Sequence, residues 1–314
     1  MSSGTPLICI AGPTASGKSA ISRLISEHLP VEIINVDSAT IYRTRDIGTA
    51  KPSFDERSSI THHLLDIRDP SESYSAAQFR EDALACIDQI RSRARIPLLV
   101  GGTMLYFKIL RDGIDDLPPA NPELRASILQ KAQLVGWPAM HEDLRKVDPQ
   151  TANRLAINDS QRIGRALEVY LSTGQPLSSF LTWSGKNQPP REELTIISLE
   201  PSDRSVLHSR IESRFDQMLE QGLAHEVSEL FARKDLHPSL PAIRCVGYRQ
   251  MWEFIAGEIS LSEAREKAIA ATRQLAKRQL TWLRSMPERH VIDCLSDAVE
   301  QQVLAFVQAT LKQR

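Results

Sequence analysis

The sequence has little cysteine, few aromatic residues and no long apolar run. Its four cysteines, Cys9, Cys86, Cys245 and Cys294, lie far apart without a CxxC pair, which excludes a disulfide framework and a cysteine zinc site. Aromatic residues make up 5% of the chain, too few for a broad base-stacking surface. No window approaches the roughly 18 apolar residues of a membrane span, and no secretion signal is recognisable. We therefore expect a soluble, cytoplasmic protein with reduced thiols and no membrane partner.

An excess of one charge is absent as well. The chain has 38 Lys and Arg against 39 Asp and Glu, a net charge of -1, which excludes a uniformly basic nucleic-acid binder. The total conceals its distribution, because Arg265 to Arg284 contains six basic residues and one acidic residue. Hydrophobic residues make up 41% of the chain, enough for a folded core. With 314 residues, we expect two domains or one domain with a large insertion.

Short apolar runs alternate with stretches of helical periodicity in much of the chain. This pattern predicts an α/β fold, a P-loop NTPase-like parallel sheet flanked by helices. The predicted strands are 6–11, 31–36, 96–100 and 194–199, with a helix at 76–93. Ligands of such sheets bind beyond the carboxyl ends of the strands.

Between the strand groups lies a segment with helical periodicity only. It extends from Glu123 to about Thr173, with a predicted helix start at Asp148-Pro149 and a stop at Gly174. The predicted core is 1–117 with 190–314, the latter carrying basic C-terminal helices. Residues 118–189 are the predicted helical insertion domain.

One motif predicts a phosphate site. Residues 12–19 match G-x-x-x-x-G-K-[ST] between a predicted strand and a predicted helix, the context that the motif requires. Its backbone N–H groups converge on phosphate oxygens at the positive end of the helix, Lys18 adds a positive charge, and Ser19 adds a hydroxyl for Mg²⁺. The predicted diphosphate- or nucleotide-binding residues are Gly12, Pro13, Thr14, Ala15, Ser16, Gly17, Lys18 and Ser19. Because no hydrolytic residues accompany the loop, a motor or GTPase is disfavoured, whereas a small-molecule kinase stays open.

Nine segments together resemble the tRNA dimethylallyltransferase (isopentenyl-tRNA transferase) family, and they are colinear with it over about nine-tenths of the chain. They are GPTASGKS (12–19), DSATIYR (37–43), DIGTAKP (46–52), HHLLDI (62–67), YSAAQFR (74–80), LLVGGTMLYFK (98–108), NDSQRIGRALEVY (158–170), AIRCVGYRQMW (242–252) and TRQLAKRQLTWLR (272–284). Thr40 and Thr44 are less usual for the family, which commonly has Gln or Leu at the first position and Gly at the second.

The resemblance implies transfer of a dimethylallyl group from dimethylallyl diphosphate to N6 of the adenosine at position 37 of the tRNA anticodon loop, with Mg²⁺ as cofactor. Asp37 is then the catalytic base, although an aspartate after a strand is also a plausible helix N-cap. Thr103 lines the reaction channel, or else caps a helix. An arginine completes the diphosphate clamp; we favour Arg214 as this catalytic residue, and Arg210 stays open.

The resemblance also implies contacts with the tRNA anticodon stem-loop, partly through the insertion. The implied tRNA-binding residues are Asp37, Ser38, Ala39, Thr40, Thr103, Arg125, Gln161, Arg162, Ile163, Gly164, Arg165, Ala242, Ile243, Arg244, Cys245, Val246, Gly247, Leu275, Ala276, Lys277, Arg278, Gln279, Leu280, Thr281 and Trp282. Arg273, Lys277 and Arg284 recur at helical spacing, so we expect one face that tracks phosphates. The alternatives are a solvated amphipathic helix, a prenyltransferase of free adenine nucleotides, and an RNA-binding protein that uses a nucleotide as a switch. We expect a monomer.

Overall fold

A six-stranded parallel sheet forms the centre of the fold. The structure, a computed structural model, describes residues 7–114, 117–181 and 193–312. The strand order is β3-β2-β4-β1-β5-β6, and all neighbouring strands run parallel. The strands are β1 (Leu7–Ala11), β2 (Val31–Val36), β3 (His62–His63), β4 (Ile96–Gly101), β5 (Leu194–Glu200) and β6 (His290–Asp293). The predicted parallel α/β sheet is confirmed, and the two edge strands β3 and β6 are additions to it.

Helices cover both faces of this sheet. The helices of the described chain, not all of which lie against the sheet, are α1 (Lys18–His28), α2 (Phe54–Ser59), α3 (Ala76–Ser92), α4 (Met104–Asp112), α5 (Pro122–Val147), α6 (Pro149–Ala152), α7 (Ser160–Thr173), α8 (Leu177–Phe180), α9 (Arg204–Glu220), α10 (Leu223–Ala232), α11 (Tyr248–Ile255), α12 (Leu261–Arg284) and α13 (Val299–Lys312). Side chains of β1 alternate between two cores, because successive residues of a strand point to opposite faces. Leu7 and Cys9 pack with α3, α4 and α12, whereas Ile8 and Ile10 pack with α1 and α13. None of the described helices is long and apolar enough to cross a membrane.

The chain divides into two compact units. One comprises residues 1–111 and 191–314, and the other comprises residues 112–190. The second unit has its own apolar core, in which Ile128, Met140 and Ile163 are buried. Asp148 accepts a hydrogen bond from the Thr151 N–H and caps α6, and Gly174 ends α7 with a φ of 72°. The predicted helix start and stop are therefore confirmed.

Candidate active site

The phosphate loop follows β1 at the carboxyl edge of the sheet. Gly17 adopts the left-handed conformation with a φ of 85°, and Ala15 has a φ of 63°, so the backbone curls before α1 begins at Lys18. The Ser16 N–H donates to the Pro13 carbonyl at 3.3 Å. Ser16 is almost fully buried, and its hydroxyl has no partner among the described residues. These conformations are those of an anion-binding loop.

Lys18 carries the positive charge of this loop. Its ammonium donates to the carbonyls of Gly12 at 3.0 Å and Pro13 at 2.7 Å. Desolvation lowers the pKa of Lys18 to about 8, and the negative charge of Asp37 opposes this shift. The Asp37 carboxylate and the Lys18 ammonium are thus close enough to affect one another electrostatically.

Asp37 and Thr103 follow two neighbouring strands, β2 and β4. The Thr103 hydroxyl accepts a hydrogen bond from the Ser38 N–H at 3.0 Å, so it joins the ends of these strands. One carboxylate oxygen of Asp37 accepts from the Ala39 N–H at 2.8 Å. No helix follows Asp37 directly, so its alternative role as a helix N-cap is excluded. Thr103 does precede α4, but its hydroxyl is engaged by Ser38.

Close backbone approach explains the two glycines before Thr103. A Cβ atom on Gly101 would lie 2.0 Å from the Val36 carbonyl oxygen of the neighbouring strand. A Cβ atom on Gly102 would lie 2.4 Å from the side-chain nitrogen of Gln279. A side chain at position 101 would therefore push apart the strand ends that carry Asp37 and Thr103, whereas one at position 102 would displace the Gln279 side chain.

Arg210 and Arg214 lie one helical turn apart on α9 but have different surroundings. Arg214 is partly buried, and desolvation lowers its pKa while the charge of Asp37 opposes the shift. The charge of Arg214 in turn helps to lower the pKa of Lys18. Arg210 is exposed, and its charge acts on Cys294 at the end of β6. The electrostatic contacts of Arg214 are thus the ones expected of a diphosphate clamp.

The residues present fit a magnesium ion bound together with a diphosphate. Ser19 is exposed at the start of α1, and its hydroxyl makes no hydrogen bond with the described part of the chain. Among residues 7–114, 117–181 and 193–312, no group of three His, Cys, Asp or Glu could hold a metal. Mg²⁺ commonly takes one or two protein ligands and completes its shell with phosphate oxygens and water. One serine hydroxyl beside a phosphate loop is consistent with that preference.

Two side chains that the sequence does not reveal as part of the site, those of Arg45 and Glu226, hold the backbone of the chain after Asp37. Arg45 is fully buried, stacks 3.8 Å from the Tyr248 ring centroid and donates to the Ala39 carbonyl at 3.5 Å. The Glu226 carboxylate accepts from the N–H groups of residues 46, 47 and 48 at 2.7, 2.8 and 3.1 Å. It also accepts from the Tyr248 hydroxyl at 2.5 Å. Nothing local marks these partners, because the carboxylate lies about 180 residues from the loop that it holds.

Replacing Glu226 with alanine is expected to lower the free energy of unfolding by about 2–4 kcal/mol, because three backbone donors lose their acceptor. The midpoint of thermal unfolding should fall by about 5–10 °C. Glu229→Ala is the matched control, since that glutamate is on the same helix and its side chain is 71% exposed. If both variants unfolded at the wild-type temperature, Glu226 would not hold the loop.

The predicted tRNA-binding residues differ in exposure. Those exposed to solvent are Ser38, Arg125, Gln161, Arg162, Arg244, Lys277, Arg278, Thr281 and Trp282. Those partly buried are Asp37, Ala39, Thr103, Gly164, Arg165, Cys245, Val246 and Leu275. Those buried are Thr40, Ile163, Ala242, Ile243, Gly247, Ala276, Gln279 and Leu280. Apart from Gly247, which has no side chain, the side chains of the buried group belong to apolar cores or internal hydrogen bonds instead of the surface.

The expected phosphate-tracking face of α12 needs a correction. Arg273 is bound to Glu212 at 3.0 Å, and Arg265 pairs with both Glu212 and Asp216. Residues 265–284 contain one acidic residue, but the acidic partners of these two arginines lie on α9, in another part of the sequence. Lys277, Arg278 and Arg284 are exposed and make no ion pair with the described residues. The free positive charge is therefore concentrated in the second half of the helix.

The helical unit shows a similar division among its arginines. Glu168 is buried, and its carboxylate binds Arg125 at 3.0 Å and Arg165 at 3.0 Å. Arg162 projects outward, with 72% of its side chain exposed, and pairs with Asp159. Arg165 thus contributes to the internal structure of this unit, and Arg162 contributes to its surface.

A parallel α/β sheet with a phosphate loop after β1, and a carboxylate after β2, places the chain in the P-loop class of phosphate-binding α/β proteins. The family described as IPP transferase matches residues 40–286. The tRNA dimethylallyltransferase of Bordetella avium is 60% identical over 299 residues, covering 95% of this chain and 96% of the relative. That of Herminiimonas arsenicoxydans is 58% identical over 304 residues, covering 96% and 95%. The chain belongs to the IPP transferase family.

Solved structures agree with this assignment. The tRNA isopentenylpyrophosphate transferase of Bacillus halodurans matches with a TM-score of 0.72 and 33% identity, covering 99% of this chain and 98% of the other. A eukaryotic dimethylallyltransferase acting on tRNA matches with a TM-score of 0.84 and 26% identity, covering 99% and 80%. The family resemblance deduced from the sequence motifs is confirmed.

Proposed function

We propose that this chain transfers the dimethylallyl group of dimethylallyl diphosphate to N6 of the adenosine at tRNA position 37 and releases diphosphate. The observation that carries the assignment to this site is that Asp37, Thr103 and the phosphate loop follow the adjacent parallel strands β2, β4 and β1, where the charge of Asp37 also acts on Lys18 and Arg214. A base for the nucleophile thus lies beside cations for the leaving group.

The leaving group requires positive charge. As the bond between the allylic carbon and oxygen breaks, its electron pair stays on the diphosphate, and negative charge grows there. Lys18, Arg214 and the N–H groups of the phosphate loop stabilise that charge. Ser19 would hold Mg²⁺ together with diphosphate oxygens, and the ion supplies further positive charge to the leaving group.

The attacking nitrogen requires a base. The N6 lone pair is delocalised into the adenine ring, so N6 is a weak nucleophile. As the bond from N6 to the allylic carbon forms, an N6 proton passes to the carboxylate oxygen of Asp37 that has no partner among the described residues. The other oxygen of Asp37 is held by the Ala39 N–H, and Thr103 fixes the adjoining Ser38. Ala39 and Thr103 therefore orient the Asp37 carboxylate.

The RNA partner is supported by the exposed basic residues. Arg244, Lys277, Arg278 and Arg284 are solvent-exposed, and such cations bind nucleic-acid phosphates. An anticodon loop already presents single-stranded bases, so extruding one costs less than opening a duplex. We assign Gln161 and Arg162 of the helical unit to the same RNA, and we place the enzyme in the cytoplasm as a monomer.

The proposed reaction is tested by incubating the protein with dimethylallyl diphosphate, Mg²⁺ and unmodified tRNA. Mass spectrometry of the digested tRNA should detect N6-dimethylallyladenosine, with an equimolar amount of diphosphate. A parallel reaction with adenosine monophosphate in place of tRNA should give no prenylated product. Product from the mononucleotide alone would favour the free-nucleotide enzyme, and ATP consumption without prenylation would favour a kinase.

Arg214→Ala is expected to raise the KM for dimethylallyl diphosphate about tenfold or more, because a partly buried cation is lost from the leaving-group site. Arg210→Ala is the matched control, since this arginine is one turn away on the same helix and is exposed. Steady-state kinetics with saturating tRNA measure both. A larger effect in the Arg210 variant would reverse the assignment.

A further inference from the structure

Gln279 lies on the inner face of α12, opposite the exposed residues of the predicted RNA segment. It is 8% exposed, whereas its neighbours Lys277 and Arg278 are exposed. Ala276 and Leu280 are buried on the same side of the helix. The side chain of Gln279 is therefore directed into the protein, away from any RNA bound on the outer face.

The Gln279 amide joins two parts of the active site that are distant in the sequence. Its oxygen accepts a hydrogen bond from the Thr14 N–H of the phosphate loop at 2.9 Å. Its nitrogen donates to the Gly102 carbonyl at 2.8 Å. A carboxamide can make both bonds at once, because its oxygen accepts and its nitrogen donates. The absence of a Cβ on Gly102 provides the space, since that atom would lie 2.4 Å from the Gln279 nitrogen.

These two bonds determine the geometry of the loop. The Thr14 N–H donates to Gln279 in this structure, and this bond holds the loop around its other N–H groups. Gly102 immediately precedes Thr103, which holds Ser38 beside the catalytic Asp37. The same amide thus ties the diphosphate loop to the strand end that organises the base.

We propose that Gln279 is a positioning residue for the diphosphate half of the active site and is not an RNA contact. The proposal rests on the proposed function, because it concerns how that reaction's donor is bound. It predicts that loss of the amide affects dimethylallyl diphosphate much more than tRNA. An RNA contact would have the opposite effect.

Gln279→Met is the informative variant, because methionine has a similar volume and length but makes neither hydrogen bond. Gln274→Met is the matched control, since it makes the same change at an exposed position of the same helix. We expect Gln279→Met to raise the KM for dimethylallyl diphosphate about tenfold or more, because two buried polar groups lose their partners. The dissociation constant for tRNA should stay within about twofold of wild type.

Gln279→Glu separates the two hydrogen bonds. A carboxylate still accepts from the Thr14 N–H, but it has no proton for the Gly102 carbonyl and adds negative charge next to an anion site. We expect its KM for dimethylallyl diphosphate to exceed that of the methionine variant. Wild-type KM values in both variants would overturn the proposal, as would a selective loss of tRNA affinity.

Binding of inorganic pyrophosphate with Mg²⁺, measured by calorimetry, provides a readout that does not require turnover. Gln279→Met should bind pyrophosphate about tenfold more weakly, and Gln274→Met should bind it as wild type does. Unchanged pyrophosphate affinity in a folded Gln279→Met protein would reject the positioning role even if prenylation were lost. Absence of prenylation by the wild-type protein would instead reject the proposed function.

Discussion

Replacement of Asp37 by asparagine is expected to lower kcat about 100-fold or more while tRNA affinity stays within about twofold. Asparagine retains the oxygen that accepts from the Ala39 N–H at 2.8 Å, so the chain after β2 keeps its shape. It cannot take up the N6 proton at the stage of bond formation. Asp37→Ala should lose at least as much turnover, because it removes the base and the hydrogen bond together.

Single-turnover kinetics and tRNA filter binding distinguish catalysis by Asp37 from recognition by Asp37. Asp55→Asn serves as the control, because it makes the same chemical change at an exposed position on α2. A normal rate with weakened tRNA binding would make Asp37 a recognition residue. A normal rate with normal binding would remove it from the mechanism.

Lys18→Met is expected to lower kcat/KM for dimethylallyl diphosphate about 100- to 1,000-fold, the range found when one donor to a developing oxyanion is removed. The ammonium lies within the phosphate loop and is close enough to Asp37 and Arg214 for their charges to act on it. Its loss leaves the leaving diphosphate without this cation. Lys234→Met, at an exposed position of the same unit, should retain wild-type kinetics.

The pKa of Lys18, lowered by desolvation to about 8, also predicts a pH dependence. Below pH 8 most of the free enzyme has a protonated Lys18, which is the form that binds diphosphate. The fraction in this form declines as the pH rises through 8. The parameter kcat/KM reports free-enzyme groups, so it should fall on the alkaline side of pH 8. Lys18→Arg stays charged over this range and should lack that decline. The same alkaline decline in the arginine variant would exclude Lys18 as its source.

Much of the fold followed from local patterns. The central strands β1, β2, β4 and β5 were predicted because each is a short apolar run next to a helical stretch. The short edge strand β3 has two residues, and β6 has two exposed residues among its four. Such strands carry little apolar signal, and they form because a neighbouring strand already presents unpaired backbone groups.

The site was predicted in part. Lys18, Asp37 and Thr103 follow strands of one parallel sheet, and the carboxyl ends of parallel strands lie at one edge. Their positions after predicted strands were therefore enough to predict that they lie at the same edge. The resemblance implies one arginine of α9 and leaves Arg210 and Arg214 open, and the surroundings of the two support the choice of Arg214 electrostatically. Gln279 is among the residues for which the family resemblance implies contact with RNA. Its burial became evident only once α12 was packed against the phosphate loop.

The sequence by itself determined the class of fold, the phosphate loop and the family, because these depend on short segments whose order and spacing are visible in one dimension. The tertiary structure decided which charges are free and which side chains support the site. Arg273 is neutralised by Glu212, the loop after Asp37 is held by Glu226, and Gln279 joins Thr14 to Gly102. Each of these pairs spans at least 61 residues, and such contacts arise when elements pack, so no local pattern reveals them.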